Sequence, residues 1–174
     1  MSKKTILQTA LSGGDENEIS YLSSPTKIVK DLSTKKLEGL VQDLLDTMAA
    51  YPICVGLAAP QIGRDERVAV AKISERGVIV LINPQIISIS GKKDKKRESC
   101  MSVWGLAGTV ERRENLRVSY FNAEGEIVQD ELFHGFDARV VAHEIDHLDG
   151  LVYTSHVVDE LMPTDLFDGQ APTA

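Results

Sequence analysis

Gly135-Phe136-Asp137-Ala138-Arg139-Val140-Val141-Ala142-His143-Glu144-Ile145-Asp146-His147-Leu148-Asp149-Gly150 is the stretch on which the reading of this chain turns. Ala138, Val141, Ala142, Ile145 and Leu148 recur at helical spacing, which predicts a helix from about Gly135 to Asp149 with Gly150 stopping it. Four residues advance a helix by about 400°, so His143 and His147 share one face and can share a metal ion. Glu144 lies one step round, within reach of a water on that ion. Two histidines on a helix face can also be ordinary half-buried polar residues. The intervening glutamate and the apolar flanks favour the metal.

Two imidazoles need a third ligand, and its position separates enzyme classes. In the extended protease pattern H-E-x-x-H-x-x-G-x-x-H, Gly150 matches but Tyr153 stands at the last position. His156 misses the spacing by three residues, and Glu160 follows the helix by only a short stretch. The better candidate is upstream, in Glu98-Ser99-Cys100-Met101-Ser102, read as a thiol in a short polar loop before a strand. A single cysteine is more often a small core residue than a ligand, so the loop alone does not decide the matter.

Away from this centre the apolar positions Leu37, Leu40, Val41, Leu44, Leu45 and Met48 predict a long helix from Ser33, closed by Pro52. Val- and Ile-rich runs predict strands over Arg67 to Ile73 and Gly77 to Ile89. Two further strands, Leu116 to Phe121 and Glu126 to Phe133, flank the turn Asn122-Ala123-Glu124-Gly125. The run Lys92-Lys93-Asp94-Lys95-Lys96-Arg97 is read as a solvated loop, or as basic residues beside a site that receives anionic groups. Residues 1–32 read as an irregular lead-in and residues 159–174 as a loose tail. The order of elements is α+β: antiparallel β-sheets packed around a central helix carrying HExxH, with one long N-terminal helix.

The 174 residues, 43% of them hydrophobic, suit one domain over 1–174 with one core. A formal charge of -7 argues against a nucleic-acid-binding surface. The polar amino terminus lacks the apolar stretch of a secretory signal, and no run approaches a membrane span. Two cysteines, Cys54 and Cys100, make a disulfide framework improbable and a reducing, cytoplasm-like compartment the expectation.

Val55-Gly56-Leu57-Ala58-Ala59-Pro60-Gln61, the Cys100 segment and His143 to His147 stand in an order and at separations that resemble the three signature motifs of peptide deformylases. The family patterns are G-x-G-L-A-A-P-Q, E-G-C-L-S and Q-H-E-x-D-H-L, and the resemblance spans about residues 37 to 155. It implies Cys100, His143 and His147 as metal ligands and Glu144 as general acid/base. Gln61 and the backbone amide of Met101 are implied as donors to the reacting carbonyl oxygen, and Asp146 as the group orienting a ligand histidine. Val55, Gly56, Leu57, Phe136 and Val140 are expected to meet the substrate, with Asp137 and Arg139 facing outward as a surface pair. Five flanking positions depart from the patterns: Cys54, Ser99, Met101, Trp104 and Ala142. They bear on the shape of the groove and leave ligands and base in place.

The resemblance further implies one divalent metal, Fe(II) in the cell with Zn or Ni as frequent occupants. The expected partners are formylated peptide amino termini, with the ribosome as a further candidate, in a bacterial or organellar cytosol-like compartment. The implied activity is removal of the N-formyl group from formyl-methionine on newly made proteins. The rivals are deformylation of a small metabolite, a non-catalytic metal- or peptide-binding relative, and a zinc endopeptidase.

Overall fold

A computed structural model describes residues 3–166. Along the chain come α1 (Glu16–Leu22), α2 (Lys35–Ala49), β1 (Gly56–Ala58), β2 (Val68–Ile73), β3 (Gly77–Cys100), β4 (Val103–Phe121), β5 (Ile127–His134), α3 (Gly135–Leu148) and β6 (Met162–Pro163). Short 3-10 turns occupy Ala10–Ser12, Ala59–Ile62 and Tyr153–His156. The strands form one antiparallel sheet in the order β1-β2-β3-β4-β5, with β6 paired to β4.

Both faces of the β2–β3 ribbon are covered, which explains the unbroken apolar run Val68 to Ala71. Val68, Val70, Val80 and Ile82 pack with Leu37, Leu40, Leu44 and Met48 of α2. The alternate residues Ala71 and Leu81 pack with Val141 and Ile145 of α3. α2 therefore has the face its spacing predicts; it begins at Lys35, where Thr34 Oγ1 accepts the Leu37 amide at 3.1 Å.

Four expectations are corrected. The lead-in holds a helix, α1, whose start is a capping box: the Asp15 carboxylate accepts the Asn17 and Glu18 amides while Glu18 accepts the Asp15 amide. The run Lys92 to Arg97 is strand rather than loop. It lies inside β3, paired residue by residue with β4 from Lys93↔Arg113 to Arg97↔Thr109, with most of its side chains in solvent. Cys100 likewise ends a strand instead of sitting in a loop, facing Val103 across the turn. Of the expected loose tail, Met162–Pro163 is paired with Leu106 and Ala107, and residues 167–174 lie outside the described part.

α3 ends as predicted. Gly150 takes a φ of 76°, its amide reaches His147 O at 3.1 Å, and the Leu151 amide reaches Asp146 O at 2.8 Å. A Cβ at Gly150 would also lie 2.9 Å from the Ser23 backbone, so both conformation and packing call for glycine there. This stop delivers Tyr153 back against the face that carries the histidines.

Candidate metal centre and active site

The turn joining β3 to β4 brings Cys100 onto the polar face of α3. One ligand atom from each of Cys100, His143 and His147 lies within 4.8 Å of the others. His147 Nε2 is 3.1 Å from Cys100 Sγ, and the Ser102 amide donates to that sulfur at 3.4 Å. Gln61 is buried; its Nε2 donates to Ser102 Oγ at 3.1 Å and approaches Cys100 Sγ at 3.5 Å, while its Oε1 accepts the Ala58 amide at 2.9 Å. The lead-in supports the same turn from outside: Gln8 Nε2 donates to the Met101 carbonyl and the Thr9 amide to the Ser102 carbonyl, each at 2.9 Å.

Behind His143 stands Glu98, a residue whose role sequence reasoning missed. His143 Nδ1 donates to Glu98 Oε2 at 3.1 Å, leaving Nε2 as the nitrogen toward the thiol. Arg112 Nε and Arg139 Nη1 both donate to Glu98 Oε1 at 2.6 Å, and Arg112 Nη2 donates to Oε2 at 3.0 Å. Arg139 is thus buried against Glu98 and the carbonyls of Val110 and Asp94, contrary to the outward position expected of it. Asp137 does reach the surface, where it accepts Ser74 Oγ at 2.7 Å. Among the described residues Asp146 makes no hydrogen bond to His143 or His147; it accepts Arg112 Nη2 at 2.8 Å, the guanidinium that also binds Glu98. A charged residue whose partner lies on a neighbouring strand leaves no periodicity in the sequence, which is why Arg112 went unread and Arg139, on α3, read as a surface charge.

Tyr153, at the position where the protease pattern would place a third histidine, stacks on His143 with ring centroids 6.1 Å apart and donates its hydroxyl to Leu106 O. His156 faces Asp146 at 3.5 Å, and Glu160 is exposed; neither joins the triad.

The electrostatics suit a cation. Burial opposes charge on His143, but the adjoining Cys100 and Glu98 outweigh it and hold its pKa well above the ordinary value. Burial and the neighbouring His143 push His147 well below its own, so it remains the neutral imidazole a metal requires. Burial also works against ionised Glu98, yet His143 and Arg112 win and keep it a carboxylate. For Glu144 burial prevails and raises the carboxyl to about 7. Among the described residues its buried Oε2 has no hydrogen-bond partner, nor has His147 Nδ1.

Glu144, Cys100 and His143 open into a cavity of about 270 Å³. Val55, Gly56, Phe136 and Val140 line it, together with Ile53, Cys54, Met101 and Leu166. Leu57 does not; it is wholly buried in the core. Gly56 lies directly over Glu144: a Cβ there would sit 2.2 Å from Oε1. Cys54 Sγ donates to Gly56 O at 3.1 Å, and burial raises its thiol pKa. Both cysteines are free. A thiol and two imidazoles are a group that could hold one metal ion, and with a nearby carboxylate bearing an unsatisfied oxygen they are the donor chemistry of a catalytic zinc- or iron-type site.

Comparison with known proteins gives the family and the fold. The polypeptide deformylase family matches residues 13–161. The chain is 49% identical over 120 residues to the peptide deformylase of Desulforudis audaxviator, covering 69% of this chain and 77% of the relative. It is 40% identical over 148 residues to peptide deformylase 1 of Bacillus subtilis, covering 84% and 90%. The crystal structure of the Thermotoga maritima peptide deformylase superposes with a TM-score of 0.80 at 30% identity, covering 91% of this chain and 100% of that one. That of the Ehrlichia chaffeensis enzyme in complex with actinonin gives 0.78 at 30% identity, covering 91% of each.

Proposed function

This chain belongs to the polypeptide deformylase family, and from that premise we propose that Cys100, His143 and His147 hold its metal while Glu144 serves as general acid/base. The protein is a metal-dependent hydrolase that removes the N-formyl group from nascent peptides. The observation that carries the site assignment is the convergence of the three ligand atoms within 4.8 Å beside a cavity into which Cys100, His143 and Glu144 open, with Glu144 Oε2 buried and without a hydrogen-bond partner among the described residues.

A divalent ion held by Cys100, His143 and His147 would supply Lewis-acid polarisation of a carbonyl oxygen and a water of near-neutral pKa. The remaining chemistry is the chain's own. Glu144 takes the proton of the attacking water and returns it to the departing amine, a poor leaving group without it. Its raised pKa, about 7, suits a group that must both accept and release a proton near neutral pH. Gln61 and the Met101 amide are the donors assigned to the oxyanion; losing one such donor typically costs about 2.7 to 4 kcal/mol of barrier. Glu98 fixes the tautomer of His143, with Arg112 and Arg139 fixing Glu98 in turn.

The thiolate with two imidazoles is compatible with Fe, Zn or Ni, and of these we take Fe(II) as the working metal, on the family resemblance rather than on the donor set. Val55, Phe136 and Val140 give the cavity an apolar wall suited to a methionine side chain. The substrate is then a formyl-methionyl amino terminus in a cytosol-like compartment where such chains are made. Among the described residues no helix is long and apolar enough to cross a membrane. Turnover of formyl-Met-Ala-Ser by Fe(II)-loaded protein under anaerobic conditions, compared with a formylated non-methionine amine, tests the reading. Strong preference for the peptide supports it, and preference for the amine would replace it with deformylation of a small metabolite.

A further inference from the structure

The basic run Lys92 to Arg97 is not used by the chemistry above, and its last member stands at the mouth of the cavity. Arg97 lines that cavity immediately before the buried Glu98. Its own side chain is exposed. Within the run, Lys93 is paired with Glu111 and Lys96 with Asp94. Arg97 makes no ion pair within 4.0 Å among the described residues. Asp159 accepts the amide of Thr109, the β4 partner of Arg97, and is itself exposed; its hydrogen bonding with Thr109 lowers its carboxyl pKa, and the charge of Arg97 helps to do so without an ion pair forming.

Around Arg97 the mouth is apolar: Ile53, Val55, Phe136 and Leu166 all line the cavity and all are more than a third exposed. A guanidinium in that setting, held in no ion pair among the described residues, faces whatever leaves the cavity behind the first residue. A formylated amino terminus carries no ammonium, so the first charges a substrate brings to the mouth are the side chains that follow the formylated residue. The geometry points to Arg97 as a specificity-determining residue that favours an acidic side chain at the second or third position of the peptide and disfavours a basic one. This rests on the formyl-methionyl reading above.

The contact lies at the rim and away from the reacting carbon, so it acts as uniform binding and belongs in KM rather than kcat. The test uses Fe(II)-loaded protein and peptide amides, which remove the terminal carboxylate as a competing charge. Formyl-Met-Glu-Ser amide is compared with formyl-Met-Lys-Ser amide, and formyl-Met-Ala-Glu amide with formyl-Met-Ala-Lys amide. Exposed charge pairs set the scale, so kcat/KM should favour glutamate by about two- to five-fold at one position or both. The ratio should shrink at about 0.5 M salt, fall to near one in Arg97→Gln and invert in Arg97→Glu. A ratio near one in the unaltered protein, or one that Arg97→Glu leaves in place, overturns the inference while the deformylase reading stands. Failure to turn over any of the four peptides would instead overturn the reading on which it rests.

Discussion

The imidazole of His143 meets the carboxylate of Glu98, Nδ1 to Oε2, at 3.1 Å, and two guanidinium groups hold that carboxylate from behind. Partners at this remove commonly change metal affinity by about 10- to 100-fold when lost. Glu98→Gln should therefore bind its metal about 10- to 100-fold more weakly, read by competition with a chelator. Unchanged affinity would mean that Glu98 supports only the strand.

Gly56 and Glu144 make the second prediction. A methyl at Gly56 would lie 2.2 Å from Glu144 Oε1 and 2.9 Å from its Cγ, so Gly56→Ala must move the carboxylate. Misplacement by about 1 Å can cost on the order of 100-fold in rate. The variant should keep its metal and melt near the normal temperature, yet lose about 100-fold in kcat. Normal kcat would show that the carboxylate works from another position.

The thiols should separate cleanly. Cys100→Ala should hold strongly reduced metal by elemental analysis, whereas Cys54→Ala, whose sulfur contacts Gly56 O, should hold a full complement. The reverse pattern would exchange their roles.

Glu66 supplies a pH dependence away from the active site. Burial opposes its charge, but Arg64 and Lys36 outweigh it and lower the carboxyl from an ordinary value of 4.5 to about 2. A lowered folded-state pKa stabilises the fold fully above the unfolded value and stops doing so as pH falls through the folded one. Stability should thus decline between about pH 4.5 and 2, and Glu66→Gln should flatten that part of the curve. A denaturation midpoint with the same acid slope in both proteins would assign the loss to other carboxylates.

The parts of this protein that sequence made legible are those governed by local periodicity. α2 and α3 carry their inward faces at helical spacing, and the triad depends on two histidines one turn apart plus a cysteine in a recognisable motif. The parts that were not legible depend on distant partners. Lys92 to Arg97 looks like a loop because both its faces are polar, and only pairing with β4 makes it a strand. Arg139 looks like a surface charge because nothing nearby in sequence announces that Glu98, 41 residues away, will receive it. For α1 a signal was present: Asp15 and Glu18 carry the spacing of a capping box ahead of a short polar helix.

The central claim is that Glu144 moves the proton while Cys100, His143 and His147 hold the metal. Glu144→Gln keeps the shape of the side chain and removes only its capacity to take a proton. With metal content measured on the same sample, formyl-Met-Ala-Ser turnover should fall by about 100- to 10,000-fold while the metal stays bound. Near-normal turnover with the metal in place would contradict the account.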